Sequence, residues 1–292
     1  MLRYEGAMNH ICRVCQSSNL HFLFTINKSR FVRCHTCTHV FLDSTYDDDA
    51  IKQMYERYGD DKGRTYLQGI NADILNTIDT YLRSCREYCR TDSSPLRLLD
   101  IGCGTGALLN RAKKLGFAIE GIEICEPLAK DAAGNAGCPV HNTLVTHVAL
   151  PEDNFDIIVM YDLIEHLQDP VGDMNIIYRL LKKGGILFIL SPNDNALLRK
   201  ISRVLYRASL HCFSKPMERL YYSDHLSYFT PKSISAFLKR FACEIVLLET
   251  RNQELSRLEL PCISRWGVRT VFHFSEYFSD LGGKLVVYAR KV

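Results

Sequence analysis

Short apolar runs alternate with segments of helical periodicity through the middle of the chain. The apolar runs predict strands near 96–101, 117–122, 139–142, 155–160 and 186–191. The segments between them predict helices near 106–115, 126–136 and 170–182, because apolar residues recur there every three or four positions. Strands and helices in this alternation predict a doubly wound α/β sheet, whose ligands bind at the carboxyl ends of the strands.

The flanking segments predict a second set of elements. Alternating apolar residues at Phe22, Phe24, Ile26 and Phe31 suit a short hairpin. Further periodic segments predict helices over 50–58, 70–89 and 231–241 and strands over 243–248 and 284–289.

A glycine-rich turn follows the first strand of the predicted sheet, with Gly102, Gly104 and Gly106 in alternation. Glycine permits positive φ and a close approach of backbone to a ligand, and the next helix directs free N–H groups to the same place. Gly102 and Gly104 with Ala107 also match a relaxed dinucleotide fingerprint. Asp100, two residues before the first glycine, disfavours a pyrophosphate and suits an ammonium group. Glu123 closes the next strand, where its carboxylate could hold a ribose diol of either cofactor class.

Composition excludes several classes of protein. The chain has 292 residues with 47% hydrophobic and 24% charged residues, as in ordinary globular proteins. Its net charge of +3 is too small to favour nucleic acid as a partner. Because the N-terminus has no apolar signal region and no run approaches a membrane span, we expect a cytoplasmic protein without a transmembrane segment.

Two C-x2-C pairs near the N-terminus predict a metal site. Cys12 and Cys15 are separated from Cys34 and Cys37 by eighteen residues. Four thiolates complete a tetrahedral zinc shell and leave no open position for water, which indicates a structural zinc ribbon. We therefore expect three units, namely a zinc ribbon, a helical linker or cap and a ligand-binding α/β domain with a lid insertion near 195–230. Their predicted bounds are 1–43, 44–95 and 96–292.

Five motifs in register resemble those of class I S-adenosylmethionine-dependent methyltransferases. They are Leu99-Asp100-Ile101-Gly102-Cys103-Gly104-Thr105-Gly106, Gly121-Ile122-Glu123, Phe155-Asp156-Ile157-Ile158, Glu165-His166-Leu167-Gln168-Asp169-Pro170 and Leu180-Leu181-Lys182-Lys183-Gly184-Gly185. The resemblance implies a seven-stranded Rossmann-like sheet whose final strand is antiparallel.

The same resemblance implies a set of sites for S-adenosylmethionine. It assigns the glycine loop, from Asp100 through Cys103 to Gly106, to the amino acid end of the cofactor and Glu123 to the ribose. Thr143 belongs to the segment after the third strand that normally meets the adenine, and Asp162 is expected near the cofactor. The expected cofactor-binding residues are Asp100, Gly102, Cys103, Gly104, Gly106, Glu123, Thr143 and Asp162.

Three residues are candidates for the chemistry: Glu165, His166 and His225. Asp162, Glu165 and His166 would share one face of a helix and could hold magnesium, as the same pattern does in ubiquinone-type O-methyltransferases. Alternatively, Glu165 and His166 only line the site, with His166 as general base or wall. His225, in a segment that reaches the active site in many relatives, is a second candidate base or a structural histidine.

An amphipathic helix is predicted over 197–208, with apolar residues on one face and Arg199, Lys200, Arg203 and Arg207 on the other. The pattern is typical of a lid, and its basic face could touch a membrane surface or an anionic substrate.

We therefore expect methyl transfer to a small molecule, with O-methylation of a sugar, phenolic or other specialised metabolite leading. The alternatives are C- or N-methylation of a small molecule, RNA methylation and a non-catalytic binding module. If the glycine loop binds a dinucleotide instead, the protein would be a nicotinamide-dependent oxidoreductase. The sequence does not indicate the oligomeric state.

Overall fold

The structure is a computed structural model that describes residues 10–44, 52–53, 55–56, 71–222, 224–252, 262–275 and 280–292. The predicted helix over 50–58 falls largely outside the described residues. Across the described ranges, every helix is too short or too polar to cross a membrane.

Eleven strands and eight helices make up the described part of the chain. The strands are β1 (Leu20–Ile26), β2 (Ser29–Cys34), β3 (Val40–Leu42), β4 (Arg97–Ile101), β5 (Ala118–Ile122), β6 (Val140–His141), β7 (Phe155–Tyr161), β8 (Leu181–Pro192), β9 (Ser227–Tyr228), β10 (Cys243–Arg251) and β11 (Lys284–Lys291). The helices are α1 (Ala72–Tyr88), α2 (Ala107–Lys114), α3 (Glu126–Ala136), α4 (Pro170–Leu180), α5 (Leu197–Ala208), α6 (Lys215–Glu218), α7 (Pro231–Leu238) and α8 (Cys262–Ser275).

Seven of the strands form one large sheet in the order β10-β11-β8-β7-β4-β5-β6. The strands β4 to β8 pair in parallel, whereas β11 is antiparallel to both β8 and β10. This arrangement confirms the predicted α/β sheet and the antiparallel final strand. Because β4, β5 and β7 are parallel neighbours, their carboxyl ends place residues after 101, 122 and 161 along one edge.

The large sheet is buried on both faces, and alternate residues of each central strand enter different cores. Leu99, Ile158 and Leu187 pack on the face covered by α4 and α7. On the opposite face, residues of β4, β7 and β8 pack with α1, α2 and α3. Strands that are covered on both faces consist of nearly continuous apolar residues. For this reason the sequence pattern predicted where these strands lie.

A smaller antiparallel sheet has the order β1-β2-β3-β9. Its first three strands come from the N-terminal segment, while β9 comes from the chain after 224. The pairs Val40↔Tyr228 and Phe41↔Ser227 join the two parts. The N-terminal ribbon therefore shares a sheet with the segment that follows Asp224.

Three features differ from the sequence-based expectations. Helix α4 ends at Leu180 and β8 begins at once, so that residues 181–185 are strand and not the end of a helix or a loop. Helix α8 was not predicted. Amphipathic helices ordinarily bury their apolar face, yet α5 buries Arg199, Ser202 and Tyr206 and leaves Val204 65% exposed.

Candidate functional site

The glycine loop between β4 and α2 has the left-handed backbone that its sequence predicts. The φ angles are +73° at Gly102, +54° at Gly104 and +82° at Gly106. A Cβ on Gly106 would lie 3.0 Å from the Cα of Ala132, because α2 begins where it crosses α3. Both the dihedral angle and the close approach require glycine at this position.

Glu123 ties the end of β5 to the glycine loop. Its Oε2 accepts the backbone N–H of Gly104 at 2.9 Å, and its Oε1 accepts the N–H of Cys125 at 2.9 Å. Burial raises the pKa of this carboxyl, while the two backbone hydrogen bonds oppose the rise. The carboxylate is thus held at the loop edge, where a diol can bind to it.

Asp100 lies beneath the loop with only 2% of its surface exposed. Its Oδ1 has no hydrogen-bond partner among the described residues. Burial and then the nearby charge of Glu123 raise the pKa of Asp100 well above its usual range. A buried carboxyl with an unused oxygen is costly alone, so a cationic ligand at this place would stabilise its ionised form.

Two further predicted cofactor residues differ in how they can act. The side chain of Cys103 packs into the core, where a Cβ on Gly121 would meet its Sγ at 2.8 Å. Only the backbone of Cys103 is then left to contact a ligand. Thr143 follows β6 and is half-buried beside Asn142, whose amide donates to the carbonyls of Glu123 and Ile124 at 2.9 and 2.8 Å.

Asp162 follows β7 with a positive φ of +52°. Its backbone N–H donates to the carbonyl of Leu190, and its carboxylate forms an ion pair with Lys284 of β11. Asp162 is therefore held at the carboxyl edge of the sheet with Glu123, but its charge is compensated by a lysine.

Glu165 lies in a 3₁₀ turn, Ile164–His166, directly after this edge. It is fully buried, and its Oε2 accepts the hydroxyl of Ser191 at 3.1 Å, while Oε1 has no partner among the residues described. Burial, with the charge of Asp162 adding to it, raises the pKa of Glu165 to about 8. This carboxyl is consequently protonated at neutral pH.

His166 and His225 meet edge-to-face, with ring centroids 4.6 Å apart. The Nδ1 of His166 lies 3.0 Å from the carbonyl oxygen of Asp224. Because a carbonyl only accepts, Nδ1 carries the proton and Nε2 presents a lone pair. Burial is the main reason why the pKa of both imidazoles is lowered. The charges of nearby residues change each pKa further. Both rings are neutral at neutral pH and can accept a proton.

The predicted magnesium set of Asp162, Glu165 and His166 is not the set that the structure assembles. At this edge the described residues bring together Glu165, His166 and His225, whose ligand atoms lie within 4.8 Å of one another. One carboxyl group and two imidazoles supply fewer oxygen ligands than Mg²⁺ prefers. Two neighbouring imidazoles are suited to accepting a proton.

The four N-terminal cysteines converge as their spacing predicts. Their sulfur atoms all lie within 4.8 Å of one another, with Cys12–Cys37 at 3.6 Å and Cys15–Cys34 at 3.5 Å. A tetrahedral zinc ion with Zn–S bonds of about 2.3 Å separates its sulfurs by about 3.8 Å, so the cluster has the right size. Gln16 and Thr38 take positive φ after each pair, in place of the more usual glycine.

Two residues near the site were not predicted from the sequence. Ser191 and Lys284 contact the predicted site residues Glu165 and Asp162 from distant parts of the chain. Neither belongs to a motif, because each is an ordinary polar residue in a strand. The glycines, acidic residues and histidines of the motifs were enough to predict the site. The supporting contacts could not be predicted, because they form only when the sheet is folded.

Comparisons with known proteins agree with this geometry. A family model described as "Methyltransferase domain" matches residues 73–248. The chain is 34% identical over 134 residues to a ubiquinone biosynthesis O-methyltransferase of Ruegeria pomeroyi, a match that covers 44% of this chain and 52% of that protein. A protein of the same name from Dinoroseobacter shibae is 35% identical over 120 residues, covering 37% and 48%. The chain spans about half the length of the curated relatives it matches.

Two solved structures have a similar fold. Magnesium protoporphyrin IX methyltransferase from Synechocystis, with bound SAH, matches with a TM-score of 0.57 and 13% identity over 84% of this chain and 100% of that one. A SAM-dependent methyltransferase from Archaeoglobus fulgidus matches with a TM-score of 0.52 and 19% identity over 74% and 94%. At these identities the likeness concerns the fold.

Proposed function

The chain belongs to the methyltransferase-domain family of class I S-adenosylmethionine-dependent enzymes, and from that premise we propose that it methylates an oxygen of a small molecule. The observation that carries the proposal is the convergence of Asp100, the glycine loop, Glu123 and the Glu165–His166–His225 cluster at one edge of the sheet. We call Asp100, the glycine loop and Glu123 the donor half of the site, and the Glu165–His166–His225 cluster its proton-accepting half. The two halves lie side by side at this edge.

The donor half suits the chemical groups of S-adenosylmethionine. Asp100 is a buried acid with an unused oxygen, which fits the ammonium of the amino acid end. Glu123 has the position and charge to accept the ribose hydroxyls, with Gly104 and Cys125 holding its carboxylate. Thr143 and Asn142 border the place for the adenine. We keep Asp162 as a neighbour of the cofactor because it lies on the same edge.

When bound, S-adenosylmethionine supplies an electrophilic methyl group on a sulfonium. The protein then has to place the attacking atom in line with that methyl group, keep water out and remove a proton from the acceptor. Positioning of this kind supplies on the order of 7 kcal/mol or more in well-oriented reactions.

His166 is the general base in this proposal. The carbonyl of Asp224 orients its ring and leaves Nε2 free to accept a proton, and burial keeps the ring neutral. His225 packs against it and is the second candidate for that role. Protonated Glu165 can donate a hydrogen bond to an acceptor oxygen. Magnesium has no part in the proposal.

An oxygen acceptor is favoured by the names of the matched relatives, which are O-methyltransferases, and by two neutral imidazoles that can deprotonate a hydroxyl. A phenolic hydroxyl suits a histidine base best, because its pKa of about 10 is the nearest to that of an imidazole. Sugars and other hydroxylated metabolites remain within the proposal.

We also propose that Cys12, Cys15, Cys34 and Cys37 hold a structural zinc ion. The distances between their sulfurs fit a tetrahedral site with every position filled. A closed shell has no place for water or substrate, so the metal would stabilise the ribbon and not take part in methyl transfer. The ribbon in turn supports β9, which follows Asp224 and His225.

The test is methyl transfer from tritiated S-adenosylmethionine to a catechol probe by the full chain. We expect His166→Asn to lower kcat by about 10²–10⁴-fold while the affinity for S-adenosylhomocysteine changes less than about twofold. His147→Asn, at a 3₁₀ turn away from the cluster, is the matched control. If the wild type binds S-adenosylhomocysteine but methylates no hydroxyl, amine or carbon acceptor in a broad panel, the catalytic proposal is wrong.

A further inference from the structure

Helix α5 turns Arg199 and Arg203 inward, and Arg199 is the most buried of its cations. The residue is only 5% exposed. Its Nη1 donates to the carbonyl of Leu220 at 2.5 Å. The guanidinium lies over the rings of Tyr221 and Tyr228, 4.8 Å from each ring centroid. Arg199 is therefore fixed in place by one carbonyl and two aromatic faces.

The neighbouring arginines are neutralised in a way that Arg199 is not. Arg33 and Arg203 both bind the buried carboxylate of Asp194, at 3.1 and 2.8 Å. Within the described ranges, Arg199 makes no ion pair with any carboxylate. Asp194 thus neutralises Arg203 and Arg33, whereas Arg199 has no carboxylate partner among the described residues.

Arg199 and the candidate base lie against the same tyrosine. The ring of Tyr228 is 5.8 Å from that of His225 and 4.8 Å from the guanidinium of Arg199. After burial and the charge of His166, the charge of Arg199 is the next cause that lowers the pKa of His225. This cation, which has no carboxylate partner within the described ranges, therefore acts on the proton-accepting half of the site.

A buried guanidinium without a counter-ion is unfavourable, since it has lost water and gained no anion. Its planar donors match the two oxygens of a carboxylate, and a single backbone carbonyl uses only part of that donor set. An anionic group of a bound molecule would supply the missing partner.

We infer that Arg199 binds an anionic substituent of the methyl acceptor, so that the acceptor is a hydroxylated molecule carrying a carboxylate or a similar anion. The inference rests on the proposed function for the identity of the acceptor site. It goes beyond that function by naming the charge class of the substrate and the residue that selects it.

The experiment compares two probes that differ only in charge. Isothermal calorimetry measures the binding of 3,4-dihydroxybenzoate and of its neutral isostere 3,4-dihydroxybenzamide to the full chain, with and without S-adenosylhomocysteine. We expect the wild type to prefer the benzoate by about tenfold or more, as charge-assisted hydrogen bonds give. Arg199→Met should reduce this preference to less than about twofold.

Arg207→Met is the matched control, because Arg207 is exposed on the same helix, and it should keep the wild-type preference. Arg199→Gln, which can still donate to the Leu220 carbonyl, is a second neutral variant and should behave as Arg199→Met does if the latter does not fold. Thermal melting of each variant reports folding.

Equal binding of the two probes by the wild type would overturn the inference, as would absence of benzoate binding or an undiminished preference in both Arg199 variants. Because the preference is measured without turnover, a protein that binds benzoate through Arg199 but transfers no methyl group would count against the proposed function alone.

Discussion

The carboxylate of Glu123 accepts the backbone N–H of Gly104 at 2.9 Å, so that a side chain at the end of β5 is bonded to the loop after β4. The two residues lie nineteen positions apart in the chain and meet because their strands are parallel neighbours. This contact places the proposed ribose acceptor against the loop that is proposed to hold the amino acid end of the cofactor.

Glu123→Gln is expected to weaken binding of S-adenosylhomocysteine by about 10–100-fold, because it removes the charge-assisted hydrogen bonds that we propose Glu123 makes to the ribose. Calorimetry on the full chain measures the change. Glu126→Gln serves as the control, since Glu126 is exposed and its ion pair within the described part of the chain is with Lys130. Equal affinities of wild type and Glu123→Gln would contradict the ribose assignment.

Substitution of alanine for two different glycines, Gly106 and Gly134, should change the free energy of unfolding in opposite directions. Gly106→Ala meets a positive φ and the Ala132 backbone at 3.0 Å, so we expect the free energy of unfolding to fall by about 2 kcal/mol. Gly134→Ala, inside α3 with nothing within 4 Å of its Cβ, should raise it by about 0.5–1 kcal/mol. Urea unfolding compares the two, and a shift of the same sign in both would refute this account of the loop.

Asp194 holds two arginines and a tyrosine together between the ribbon, α5 and the end of β8. It accepts from Arg33 and Arg203 and from the hydroxyl of Tyr221 at 2.8 Å. Asp194→Asn should lower the free energy of unfolding by about 3–5 kcal/mol, because the largely buried Arg203 and the partly exposed Arg33 both lose their anion. Asp153→Asn, which loses an exposed partner of Lys291, should cost at most about 1 kcal/mol. A similar small loss in both variants would show that the network is not a major source of stability.

Glu165 should make the protein less stable as pH rises through the neutral range. Its pKa is about 8 in the folded state against an ordinary value of 4.5, so between these values only the folded state holds the proton. The contribution of this group then falls by about 1.4 kcal/mol per pH unit at most and is lost above pH 8. In Glu165→Gln this dependence should be absent.

Urea unfolding of wild type and Glu165→Gln at pH 5, 6.5 and 8.5 tests the sign, since other groups cancel in the difference. The variant should gain stability relative to the wild type as the pH increases. Glu152→Gln, at an exposed residue, is the control. Its difference in unfolding free energy from the wild type should not change with pH. Parallel pH curves for wild type and Glu165→Gln would mean that Glu165 is ionised in the folded protein.

Cys34→Ser should abolish zinc binding and unfold the ribbon, because structural zinc sites contribute about 10–16 kcal/mol of binding free energy to small domains. Elemental analysis measures zinc, and near-ultraviolet circular dichroism reports Tyr221 and Tyr228, which pack on ribbon residues Phe24 and Phe31. Cys212→Ser, at an exposed cysteine, should change neither. A zinc-free wild type with intact tyrosine signals would refute the metal proposal.

The periodicity of the chain was enough to predict the central sheet and its helices, and the resemblance correctly implied the antiparallel final strand. The reason is that strands buried on both faces and helices that cover them carry local apolar patterns. The pattern failed for α8 and for the first residues of β8. There Lys182, Lys183, Gly184 and Gly185 carry no strand-like apolar signal, and the strand is formed by pairing with β7.

The sequence by itself determined the left-handed glycine turn, the acid after each of two strands and the spacing of the four cysteines, because each depends on residues close together in the chain. Only the tertiary structure decided that β9 completes the ribbon sheet, that the carbonyl of Asp224 orients His166, and that α5 buries Arg199 and exposes Val204. Periodicity reports which side chains share a face of a helix. What that face meets depends on segments far away in the chain, which come together only when the whole core has formed.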